Sequence, residues 1–326
     1  MKHIIIFGGA GFIGTNLTKR LLDQGHKVIC VDNFFTGRQS NVDQFLKLYS
    51  DNYFLFIHDV TNPDCYIELR KVIEDVFYNF VDEIYNLACP ASPPKYQIDP
   101  IYTIRTSLAI IDMCKLAMEF NSKILHSSTS EVYGDPDSDH HPQTEDYRGN
   151  VNTMGPRACY DEGKRIAETI LYEASRKGCK CKVIRIFNTY GPYMDPDDGR
   201  VISNFVCQAL QNKPITIYGD GTQTRSFQYI DDLLNGIELM MNTEDSFIGP
   251  VNIGSPFEFT MEELAVIILE LIPESKSKII YKELPEDDPL QRKADVTKMT
   301  NKTGWKPEIT LQEGLEKTIE YFSNEL

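Results

Sequence analysis

Positive charge is scarce in this chain. Among 326 residues, 33 Lys and Arg stand against 48 Asp and Glu, a formal net charge of −15. A protein that grips nucleic acid or an anionic membrane across its general surface needs a basic face, so no nucleic acid is expected as a partner. An anionic small molecule held by a few local arginines remains open. Long apolar runs are also missing. The longest stretches, such as residues 265–272, fall well below the roughly 18 that span a bilayer, and this one contains Glu270. The start, residues 1–6, is too short for a signal peptide and leads straight into glycines. With no anchor in sight, the expectation is a cytoplasmic protein that does not meet a membrane. Histidine is sparse, and His140-His141 lies in a polar loop with no metal role. The eight cysteines sit mostly in apolar surroundings, which suits reduced, buried thiols. Cys179-Lys-Cys181 has no second pair to complete a zinc site, so no metal is expected. Repeats and low-complexity tracts are absent.

What is present begins at the N-terminus. Residues 4–7 read as a buried strand. Gly8, Gly11 and Gly14 follow, then a helical pattern through Leu17, Leu21 and Leu22 that Gly25 stops. Residues 27–31 form the next strand, and Asp32 ends it eighteen residues after Gly14. Glycines at such a turn let the backbone approach a pyrophosphate at the helix N-terminus. The acid at the second strand tip can hold ribose hydroxyls. Together these predict a dinucleotide site, and Asp32 favours NAD over NADP, with Arg38 as the residue that argues the other way.

Strand and helix then alternate. Strands are expected at residues 53–58, 83–87, 123–127 and 182–187, with helices at 67–76 and 104–118 between them and a polar surface loop at 134–152. Ligands of such sheets bind at the carboxyl ends of the strands. Asp32, Asp59, Ala88, Thr129 and Asn188 all lie at strand tips and are expected to ring one crevice. The fold class is therefore α/β: a Rossmann-type doubly wound parallel sheet with a smaller C-terminal α/β lobe. Residues 1–188 with 226–254 would form the dinucleotide domain. Residues 189–225 with 255–326 would form the lobe over the crevice, with a small core of its own closed by Trp305.

One further pair carries chemistry. Tyr160 and Lys164 are four apart on a predicted helix, hence on one face. A phenol with a reference pKa of about 10 is a poor base at neutral pH, and a nearby ammonium favours its phenolate. Such a pair can take a proton from a sugar hydroxyl while hydride leaves the same carbon.

With these residues assembled, the chain resembles the extended short-chain dehydrogenases/reductases, and within them the UDP-glucuronate decarboxylase family. The segments that carry the resemblance are residues 86–94, 128–136, 155–164, 185–192, 198–205, 222–229 and 287–293. Ser107 departs from the family's usual asparagine. The resemblance implies UDP-glucuronate as substrate and UDP-xylose as product. Oxidation at C4 places a ketone β to the C6 carboxylate, so CO2 leaves with its electrons delocalised; C5 is then protonated and the hydride returns. It further implies roles. Tyr160 is the base, Lys164 its partner, and Thr129 or Ser130 binds the same oxygen. Glu131 acts near C5, and Arg292 assists decarboxylation. On the bland reading, Arg292 instead pairs with Asp287 or Asp288 at the surface. Around the cofactor it implies Gly8, Gly11, Phe12, Ile13, Gly14, Asp32, Asn33, Phe35, Thr36, Gly37, Asp59, Val60, Leu87, Ala88, Thr106 and Arg200, besides Tyr160 and Lys164. Around the nucleotide sugar it implies Pro90, Lys95, Tyr96, Asn188, Arg200, Val201, Asn204, Tyr218, Gln223, Arg225 and Arg292. Similar folds pair through two long helices, so a homodimer is expected. A UDP-sugar 4-epimerase or 4,6-dehydratase on the same scaffold, and a catalytically silent nucleotide-binding protein, are the alternative readings.

Overall fold

The computed structural model describes residues 1–283 and 291–326. Its strands are β1 (His3–Phe7), β2 (Lys27–Asp32), β3 (Tyr53–Ile57), β4 (Glu83–Asn86), β5 (Lys123–Thr129), β6 (Lys180–Ile186), β7 (Thr189–Tyr190), β8 (Ile215–Tyr218), β9 (Thr224–Ser226), β10 (Gln228–Tyr229), β11 (Val251–Ile253), β12 (Glu258–Thr260), β13 (Ile279–Lys282) and β14 (Gln291–Arg292). Its α-helices are α1 (Phe12–Asp23), α2 (Gln39–Leu48), α3 (Asp64–Phe77), α4 (Pro93–Tyr96), α5 (Pro100–Leu108), α6 (Ile110–Glu119), α7 (Ala158–Ser175), α8 (Val201–Leu210), α9 (Ile230–Met241), α10 (Met261–Leu271), α11 (Thr297–Thr303) and α12 (Leu311–Glu325). None is long and apolar enough to cross a membrane.

Seven strands form one parallel sheet in the order β11-β6-β5-β4-β1-β2-β3. The doubly wound sheet expected from the sequence is thus present. Helices cover both faces, so its strands read as unbroken apolar runs; Ile4, Ile5, Ile6 and Phe7 are all fully buried. The order reverses between β1 and β4, and that switch point opens the crevice at the strand carboxyl ends.

The predicted helix at 104–118 is in fact two, α5 and α6, with Ala109 between them. The loop 134–152 is closed on itself by the Gly134–Asn150 bridge and pinned at its middle by the Gln143–Ala294 bridge. The C-terminal part builds two small sheets, β8 with β13 and β9 with β12 and β14. Among the described residues it has no separate core of the kind expected. One continuous apolar cluster runs from Ile4 through α8, α9 and α10 to Phe322. Trp305 shows why: its indole N–H donates to the Asp232 carbonyl of α9 at 3.0 Å. The Asp232 carboxylate in turn accepts from the backbone N–H groups of Glu308 and Ile309. Capping boxes, Thr260 with Glu263 and Thr310 with Glu313, start α10 and α12.

Candidate active site

A cavity of about 570 Å3 lies at the switch point, between the large sheet and the C-terminal part. Its floor is the glycine turn. Gly8 has φ +79°, and a Cβ there would come within 2.7 Å of the Leu87 and Ala88 backbone. A Cβ on Gly14 would lie 2.1 Å from the Gly8 carbonyl oxygen. The turn therefore packs as tightly as backbone allows, and Gly11 caps α1 with no side chain in the way. Asp32 ends β2 beside it. Its carboxylate accepts from the Ala10 N–H at 2.9 Å and the Phe34 N–H at 2.8 Å. Burial raises this carboxyl overall, although the backbone donors of Ala10, Phe34 and Asn33 oppose the shift. A glycine cradle that side chains would fill, with an acid at the next strand tip, fits a dinucleotide pyrophosphate and ribose.

Phe12, Ile13, Asn33, Phe35, Thr36, Val60, Leu87, Ala88 and Thr106 line this end of the cavity. Two predicted contacts do not. Gly37 lies close to Asp32, where a Cβ would meet the Asp32 carboxylate at 2.9 Å. Asp59 accepts from Asn33 at 3.1 Å and from the Thr61 N–H and hydroxyl at 2.8 and 2.7 Å. Asp59 thereby braces Asn33, and the bare Gly37 leaves room for Asp32. Arg38 is tied to Glu325 of α12 at 3.0 Å.

At the middle of the cavity stands Tyr160, 6% exposed, with Lys164 one turn on. The Lys164 Nζ donates to the Ser127 carbonyl at 2.6 Å and lies 5.8 Å from the centre of the Tyr160 ring. Helix α7 comes close to α5 because residue 163 is glycine; a Cβ there would sit 2.8 Å from the Ser107 hydroxyl. The Tyr160 ring stacks on Tyr96 at 5.1 Å and 4°. Burial pushes the Tyr160 phenol well up; a hydrogen bond with Thr129 and the Arg200 guanidinium work the other way. Burial also lowers the Lys164 ammonium.

Next to this dyad lies a charge cluster. Glu131 follows Thr129 and Ser130 in a short 3-10 turn after β5. Arg292 grips its two carboxylate oxygens at 2.6 and 2.8 Å. Arg157 adds a third bond at 2.6 Å. Burial alone would raise this carboxyl, but Arg292 and Arg157 outweigh it and hold Glu131 well below the usual carboxylate range. Arg292 comes from β14, in register with Arg225 of β9. Asp287 and Asp288 lie outside the described residues.

The far end is lined by Pro90, Lys95, Asn188, Arg200, Val201, Asn204, Tyr218, Gln223 and Arg225. Lys95 reaches Asp195 at 3.3 Å, and Arg200 pairs with Asp198 at 2.8 Å. The structure thus gathers the predicted residues into one cavity, except Gly37 and Asp59.

Sequence reasoning missed two features. Arg157 lies in the string 155–164, three residues before Tyr160 and so on its side of the helix, but its partner is 26 residues away in sequence. Cys114 joins Cys179 and Cys181, three buried sulfurs within 4.8 Å of one another, from a helix 65 residues upstream.

Known proteins are similar to this chain in sequence and fold. Residues 4–254 match the model of the NAD dependent epimerase/dehydratase family. The chain is 49% identical over its whole length to UDP-glucuronic acid decarboxylase 1 of Danio rerio, covering 73% of that protein. Its fold matches UDP-glucose 4-epimerase of Thermotoga maritima, solved with UDP-glucose, with a TM-score of 0.87 at 26% identity over 99% of both chains. It matches UDP-glucuronic acid 4-epimerase of Bacillus cereus, solved with UDP-glucuronic acid and NAD, with a TM-score of 0.85 at 26% identity over 99% of this chain and 100% of the other. A glycine cradle, a Tyr–Lys dyad and full-length relatives of one activity agree: the chain belongs to the NAD dependent epimerase/dehydratase family and, within it, to the UDP-glucuronic acid decarboxylases.

Proposed function

We propose that this chain decarboxylates UDP-glucuronate to UDP-xylose and CO2 through a UDP-4-keto-pentose, using bound NAD. The observation that supports it most is the meeting of two groups in one cavity: the Tyr160–Lys164 dyad and the Arg292–Glu131 pair. NAD, when bound, takes a hydride from C4 of the sugar and returns it, so the reaction is redox-neutral overall. Tyr160 takes the proton of the C4 hydroxyl, and Thr129 and Ser130 hold the same oxygen. Lys164 braces the dyad and the ribose. Arg292 receives the C6 carboxylate, and Glu131 guides a water toward C5. Arg225 holds the diphosphate as a planar fork. Asn188, Arg200 and Asn204 close around phosphate and sugar oxygens, with Tyr218 and Gln223 toward the uridine.

In this reading residues 1–188 with 226–254 hold the cofactor, and 189–225 with 255–326 hold the nucleotide sugar. The chain works as a homodimer: Ile101, Leu108, Ile111, Met118 and Ile166 are exposed along α5, α6 and α7. Eight unpaired cysteines suit the reducing cytosol. An epimerase or dehydratase shares the first step but expels no carboxylate: a 4-epimerase acting on UDP-glucuronate keeps it. Carbon-13 label at C6 separates them. Labelled CO2 equal to the UDP-xylose formed, without added reductant, is the expected result; sugar turnover with the label retained would overturn the proposal.

A further inference from the structure

Arg157 has no part in the roles above. It stands at the N-terminus of α7, its side chain 13% exposed, and donates to Glu131 at 2.6 Å. Glu131 is therefore held by two guanidiniums from different parts of the chain. Their mounts differ. Arg157 is fixed to the helix that carries Tyr160 and Lys164. Arg292 sits on β14, a two-residue strand in the C-terminal part.

A sugar carboxylate entering this buried cavity needs a cation. If Arg292 supplied it and Arg157 were absent, Glu131 would be left charged, buried and bare. Such a half-broken pair is strongly unfavourable. With Arg157 in place the charges balance after the exchange: two guanidiniums serve two carboxylates, and neither anion is stranded. We propose that Arg157 is a positioning residue, which keeps Glu131 paired and in place while Arg292 turns from Glu131 to the carboxylate of the substrate. This rests on the decarboxylase reading above.

Glu131 is faced by Arg157, Tyr160 and Asp161 from α7, by Arg292 from β14 and by Tyr96 from α4. Of the two cations among them, only Arg157 remains when Arg292 moves. The test uses the NAD-loaded full chain with UDP-glucuronate. Arg157→Met is expected to slow CO2 release about 100-fold, the scale of a lost proton-transfer group. It should also move the acid limb of the kcat–pH profile to higher pH while bound NAD stays unchanged. Arg157→Lys, which keeps the charge without the fork, should place that limb between the two, and serves alone if the Met variant does not fold. A profile that overlays the wild type's, or a kcat lost only in step with bound NAD, would overturn the proposal. Wild-type protein that releases no CO2 would instead sink the decarboxylase reading itself.

Discussion

The Tyr160 phenol is pushed up by burial, and Lys164 donates to the Ser127 carbonyl. In this chain, then, the help to the phenolate comes from the Thr129 hydroxyl and the Arg200 guanidinium. Tyr160→Phe removes only the proton acceptor. It should cut turnover by about 10³-fold, within the range for general acid–base catalysis, and leave bound NAD unchanged. Stopped assays of CO2 release together with NAD extraction check both. Asp161 gives a pH test. Burial and the neighbouring Glu131 charge raise its carboxyl above the ordinary value, although Arg157 opposes them. Below about pH 3.9 the folded and unfolded chains both carry the proton, and nothing is lost. As pH rises from there toward the raised folded value, the unfolded chain ionises first and the fold loses stability. Asp161→Asn removes this loss, so its stability gain over the wild type should be larger at pH 8 than at pH 4. Denaturant melts at both pH values measure it, and an equal difference would contradict the assignment.

Among elements, α1 carries the sharpest demand. Its start depends on a glycine at 14, since a Cβ would press into the Gly8 carbonyl and the Gly9 backbone. Gly14→Ala should open the turn, costing about 1–3 kcal/mol and most of the bound NAD. Gel filtration followed by cofactor extraction reports the second effect; a variant that retains NAD in full would contradict it. This element was legible because glycine spacing, helix start and strand-end acid are local signals. Thr129, Ser130 and Tyr160 were legible for the same reason, as strand tip and helix face. Other features were not. Arg157 finds Glu131 across 26 residues, and Arg292 finds it across 161. Partnership at that distance is set by how α7 and β14 dock, which no local pattern records. Asp59 does not line the cavity, because a strand-tip acid can bond to its own following residues, as it does to Thr61. Gly37 does not line it either; the missing Cβ there leaves room for the Asp32 carboxylate and Ala10. The break at Ala109 had no signal, since α5 and α6 meet without glycine or proline. The C-terminal part lost its expected private core because Trp305 packs on α9.

At the scale of the whole molecule, the sheet order sets the crevice between β1 and β4, and the C-terminal part brings Arg225 and Arg292 over it. The exposed apolar residues of α5, α6 and α7 lie away from that crevice, so pairing there leaves the cavity open. Light scattering should return twice the mass of the chain, and Ile101→Glu with Ile111→Glu should return the mass of one chain with NAD still bound. The central claim is that oxidation, loss of CO2 and return of hydride all happen in one enclosed site. Proton NMR of the purified protein with UDP-glucuronate tests it most directly. The account predicts xylose anomeric and C5 methylene signals that grow without added reductant. Signals of UDP-galacturonate in their place would contradict it, because the carboxylate would then have survived the cycle.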